Sequence, residues 1–107
     1  MPDSDPIKVR NMHMEAPDLN DLRASLDNID AALIFLLTER FRVTRNVGLY
    51  KREHHLPPID EAREAEQLAR LEKLAKSSGL DASFAKRIFR CIIDEVVYEH
   101  RELLEEG

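Results

Sequence analysis

The sequence predicts an all-α protein of three helices with a very long first one, and three observations carry that prediction. Apolar residues keep a helical period for about ten turns from Asp18 to Glu53 without a proline. Helix caps and breakers cluster at Pro57-Pro58, Asp60 and Gly79-Leu80-Asp81. No stretch alternates with the two-residue period of a strand. The first helix is also too long for a domain of this size. From Asp18 to Glu53 it spans about 54 Å at about 1.5 Å per residue, against a radius of gyration of about 13 Å for a compact domain of about 100 residues. Its stripe cannot be covered within one chain, so an intertwined helical homodimer is expected.

Taken in order, residues 1–17 are rich in Pro, Asp and Met and lack periodicity, which reads as a loose arm. The helical domain is expected over residues 18–107. Asp18 caps the first helix, and Leu19, Leu22, Leu26, Ile29, Leu33, Leu36, Leu37, Val43 and Val47 form its apolar side. Pro57-Pro58 ends it, because a residue preceding proline is pushed out of the α region. Asp60 caps a second helix over about Glu61 to Ser77, with a modest stripe through Leu68, Leu71, Leu74 and Ala75. Gly79 suits the left-handed position that closes it. Asp81 caps the third, whose face Ala85, Phe89, Ile92, Ile93, Val96, Val97 and Leu103 runs to the C-terminus.

Composition narrows the function classes. A net charge of −5 disfavours a nucleic-acid partner, which is bound by basic faces. One cysteine, Cys91, excludes an internal disulfide and a cysteine-based zinc cluster, which fits a reducing compartment, and its expected role is packing or none. His54 and His55 are adjacent and splay apart, a poor metal pair, so no metal is expected. The first residues lack the apolar core of a signal peptide and no stretch approaches a membrane span, so a cytoplasmic protein is expected.

Against that acidic background, the stretch Arg40 to Arg52 carries five cations and no acid. Arg42, Arg45 and Arg52 read as a solvated face near the helix C-terminus. Arg40 and Lys51 differ: eleven residues apart, they point within about 20° of each other on the apolar side. Arg23 lies at the edge of that side, too far along to share a ligand with Arg40 within one chain, though an antiparallel partner helix brings the two together. Glu64 is not accounted for as a cap, since Arg63 holds the capping-box position. His100 faces the core side of the third helix. Inward arginines, a lysine, a glutamate and a histidine suggest a pocket for a small hydroxylated polyanion, because guanidinium forks orient carboxylates. No nucleophile–base pair, phosphate loop or metal spacing accompanies them, so positioning and electrostatics remain as the chemistry.

This pattern resembles the all-helical (AroQ-type) chorismate mutases of the shikimate pathway. Leu22-Arg23, Ile29-Asp30, Leu36-Leu37, Glu39-Arg40, Val47-Gly48, Lys51, Pro57, Asp60, Arg63-Glu64, Leu80-Asp81-Ala82, Phe89 and Ile92-Ile93 carry the resemblance, colinear from about Leu19 to Leu104. It implies an intertwined three-helix dimer that rearranges chorismate to prephenate without a cofactor. Arg23 of the partner subunit and Arg40 would clamp the two carboxylates. Lys51 and His100 would donate to the ether oxygen, where charge grows as the C–O bond breaks. Glu64, with the Asp60 backbone, would accept from the hydroxyl. Arg63 would help fix Lys51 and the carboxylates, and Val47 and Ile93 would pack on the ring. Two positions depart from the family: Val96 stands where relatives often carry a serine, and His100 where bacterial relatives typically carry a glutamine. A donating imidazolium at His100 implies a kcat/KM that rises as pH falls. With the chain ending at Gly107, a monofunctional enzyme of aromatic amino-acid biosynthesis is expected. The alternatives are an isochorismate pyruvate lyase of the same fold and a non-catalytic helical dimer acting as a regulatory module.

Overall fold

A computed structural model of the chain describes residues 16–106, so most of the arm expected at residues 1–17 lies outside the described residues. The chain is all-α: α1 is Leu19–Glu53, α2 is Glu61–Ser78 and α3 is Ala82–Glu106. Every helix starts on the aspartate expected to cap it. Asp18 Oδ1 accepts from the Asp21 amide at 2.8 Å, Asp60 Oδ1 from Arg63 at 3.0 Å and Asp81 Oδ2 from Phe84 at 2.9 Å. Each bond satisfies an amide that has no partner within its helix. Helix α2 closes on Gly79 at φ +83°, a left-handed conformation that costs a side-chain-bearing residue strain. His55 adopts φ +55° just beyond α1, where the chain turns toward α2.

The chain divides into two units, Met1–Thr38 and Glu39–Gly107. In the first, the described part of α1 buries no residue: Leu19, Leu22, Leu26, Ile29, Leu33 and Leu36 are all exposed, Leu36 by 68%. The predicted stripe is therefore present as a periodic apolar face that the single chain leaves uncovered.

In the second unit α2 packs on α3, and the small core comprises Ala75, Ala85, Ile93 and Leu103. Leu68 and Leu71 are half-buried, whereas Leu74 of the expected α2 stripe is 51% exposed. Cys91 is exposed, which agrees with the second of the roles expected of it, packing or none. The α1 portion meets α3 at Gly48, the one buried residue of that helix. A Cβ built there would stand 2.6 Å from His100 Cδ2 and 2.7 Å from Leu103 Cδ1. Arg52, expected to be solvated, is half-buried and donates to the Leu103 carbonyl at 3.4 Å, fixing the same seam. Arg42 behaves as expected, pairing on the surface with Glu39.

Gly48→Ala tests this seam. Alanine improves helix propensity by about 1 kcal/mol, but overpacking against a fixed ring costs about 1–3 kcal/mol. The expected outcome is a thermal midpoint lower by about 4–8 °C, measured by circular dichroism.

Candidate active site

The second unit holds every singled-out residue but Arg23; Lys51 and Asp60 line one cavity in it and Glu64 another. His100 is its pivot, 3% exposed although polar. Its Nε2 lies 2.8 Å from the Thr44 carbonyl oxygen, which only accepts, so Nε2 carries the proton and donates. In the neutral ring Nδ1 is then an acceptor, and Lys51 Nζ donates to it at 3.4 Å. Lys51 also donates to the Pro58 carbonyl at 3.2 Å, so its ammonium is held from two elements. Leu56, Pro57, Ile59 and Asp60 join Lys51 around an open cavity of about 520 Å³.

Both ring nitrogens of His100 are thus occupied by the protein. Donation from His100 to a ligand requires a second proton, on Nδ1, and displacement of Lys51. The geometry favours a different use, in which neutral His100 aims the lysine.

Arg40 is half-buried, with its guanidinium carbon 5.9 Å from the centroid of the Phe89 ring. Its Nη1 is buried without a hydrogen-bond partner among the described residues. Burial, reinforced by the nearby Arg63 charge, pushes the guanidinium pKa below its ordinary value. An arginine retains its proton even so. A buried, charged N–H without an acceptor is costly, and an anion is the chemical complement of such a group.

The other expected residues are placed as follows. Glu64 has only 18% of its side chain exposed, and Oε1 accepts from Arg90 Nη2 at 2.7 Å. Arg63 is directed outward to Glu66 at 3.2 Å, and its charge is felt at Arg40. Asp60 spends its side chain on the cap. On α3, Ile93 is buried and Val96 half-buried, while Val47 on α1 is 43% exposed. Arg23 belongs to the first unit and is exposed. Among the described residues no cluster has the donors to hold a metal.

Two positions that bear on the site lay outside the reading of helical phase and charge. Gly48 entered only through the family resemblance, although a glycine inside a long helical pattern needs a packing reason. Arg90 carried no such signal, because its Glu64 partner is 26 residues away on another helix.

A family model described as chorismate mutase type II matches residues 22–101. The bifunctional chorismate mutase/prephenate dehydratase of Escherichia coli (strain K12) is 36% identical over 85 residues, 79% of this chain and 22% of that protein. The 4-amino-4-deoxychorismate mutase of Streptomyces pristinaespiralis is 33% identical over 89 residues, 83% of this chain and 69% of that protein. The chorismate mutase of Methanocaldococcus jannaschii is 28% identical over 88 residues, 82% and 89% respectively. The chain spans less than a quarter of the bifunctional relatives' length.

The orphaned cation gives a stability test. If Arg40 is kept for a ligand, Arg40→Met should raise the thermal midpoint of the ligand-free protein by about 4 °C, because a methionine fills the space without a buried charge. A structural arginine would instead lower it.

Proposed function

Because the chain belongs to the chorismate mutase type II family, we propose that it rearranges chorismate to prephenate and acts as a homodimer. The observation that carries this is the partnerless, buried Nη1 of Arg40, in the same unit as a lysine held by two acceptors. That pair answers a reaction in which nothing is transferred to the protein. In the substrate one C–O bond breaks as one C–C bond forms, so the enzyme has to fold the molecule and stabilise the charge that grows on the ether oxygen.

Arg40 would take one carboxylate and Arg23 of the second copy the other, by bidentate guanidinium contacts. Lys51 would present its third N–H to the ether oxygen, with His100 and the Pro58 carbonyl fixing its direction. Glu64 would accept from the ring hydroxyl, beside the Asp60 backbone. Arg63 would add positive potential near Arg40, and Val47, Ile93 and Val96 would line the ring. Val96 offers no hydroxyl to the carboxylate, which should raise KM more than it lowers kcat. The Streptomyces relative is named for a substrate bearing an amino group; at that ring position chorismate carries a hydroxyl, which makes Glu64 the point where substrates of this family part.

A second copy is the natural cover for the exposed face Leu19–Leu36, since an apolar row of that length in water favours self-association. No described helix is long and apolar enough to cross a membrane. The proposed compartment is the cytoplasm, where a chain with a single cysteine needs no oxidising surroundings.

Incubation with chorismate and, separately, isochorismate tests the reading. Prephenate from chorismate supports it, pyruvate and salicylate from isochorismate would make the protein a lyase, and no turnover of either would leave a non-catalytic dimer. Arg23→Ala and Lys51→Ala should each be nearly inactive, and mixing them with subunit exchange should restore up to one intact site per heterodimer. Exchange without recovery would mean that Arg23 does not serve a partner's site.

His100→Gln can still accept from Lys51 and should stay active, whereas His100→Ala should lose on the order of ten- to a hundredfold in kcat/KM, measured by steady-state kinetics with chorismate.

A further inference from the structure

The carboxylate assigned to the ring hydroxyl is already engaged by an arginine that lines the same cavity. Arg90, on α3, gives Nη2 to Glu64 Oε1 at 2.7 Å and, on its own helix, Nη2 and Nε to Asp94 Oδ1 at 2.8 and 3.0 Å. Its hydrogen bond to Glu64 is the largest influence raising its pKa, followed by that to Asp94. Among the described residues no hydrogen bond reaches Glu64 Oε2. One oxygen of Glu64 is therefore anchored and the other free, and a guanidinium lies against the carboxylate. The Arg90 side chain is 43% exposed, so such a pair adds little to stability. Its effect on charge is larger, because Glu61 and Asp94 line the same cavity of about 510 Å³ and only Arg90 and Arg101 oppose them.

We propose that Arg90 is a specificity-determining positioning residue: by holding Oε1 and offsetting the charge of Glu64, it favours a substrate with a neutral ring hydroxyl over one with a cationic ring ammonium. A hydroxyl needs only an aimed acceptor, which Oε2 provides. An alkyl ammonium gains from net negative charge, which Arg90 removes. Losing the Arg90 charge therefore disfavours both substrates through poorer positioning, but compensates the ammonium through Coulomb attraction. The inference rests on the substrate reading given above.

The test compares kcat/KM for chorismate and for 4-amino-4-deoxychorismate in the full chain and its variants. The unaltered protein should prefer the hydroxyl substrate. Arg90→Gln should shift the ratio toward the amine on the order of tenfold, the effect of one charge at close range in a partly wet site, and Arg90→Lys should largely restore it. Asp94→Asn, an exposed change that does not threaten folding, should move the ratio a few-fold the other way, since it leaves Arg90 wholly to Glu64. Equal losses on both substrates in Arg90→Gln, with no movement in Asp94→Asn, would overturn the role of Arg90 while leaving the mutase reading intact. An unaltered protein that turns over neither substrate would overturn both.

Discussion

The hydrogen bond from His100 to the Thr44 carbonyl is the contact on which the site depends. An imidazole can lie that close to a helix backbone only where the neighbouring residue has no side chain, and Gly48 meets that condition. With the ring fixed at Nε2, the direction of Nδ1 is fixed as well, and so is Lys51. Leu103, one turn further on, fills the rest of the gap and becomes the most buried apolar residue of the core. Packing and the aim of Lys51 thus share one seam: whatever loosens α3 from α1 removes one of the two acceptors that hold the lysine.

The electrostatics follow from where each charge is compensated. The chain is acidic overall, yet the buried side-chain polar atom left without a hydrogen-bond partner among the described residues is cationic, the Nη1 of Arg40. Glu64, in contrast, begins with a partner in Arg90 and with the amide-rich first turn of α2 around it, which suits a carboxylate. Under the proposed function, Arg40 would meet a ligand's negative charge and Glu64 a hydrogen-bond donor, the polarity that a dicarboxylate bearing a hydroxyl presents.

Much of this was legible in the sequence because local rules set it. Asp18, Asp60 and Asp81 announce helix starts and Gly79 a helix end through interactions within four residues, and the observed ends of α1 and α2 fall within one residue of those read from pattern. The inward turn of Arg40 and Lys51 was legible because helical phase alone decides it. What could not be read were contacts between helices far apart in sequence. The choice of His100 between giving a proton to a ligand and accepting one from Lys51 depends on a carbonyl 56 residues away. Arg52 was read as solvated for the same reason, since the Leu103 carbonyl it caps is 51 residues distant. Likewise Leu74 carries the right residue type for a core but lies on the side of α2 that α3 does not cover.

The unbroken run of α1 from Leu19 to Glu53 has a consequence for how this chain can change length. Each inserted or deleted residue in an α-helix turns everything beyond it by about 100° and shifts it by about 1.5 Å. One extra residue inside α1 would turn the residues beyond it out of phase with those before it, and changes of about seven or eleven residues come close to restoring the phase. Point substitutions can therefore accumulate along α1, whereas its length is all but frozen. Additions and losses would disturb least at the junctions 54–60 and 79–81, where backbone phase is already broken.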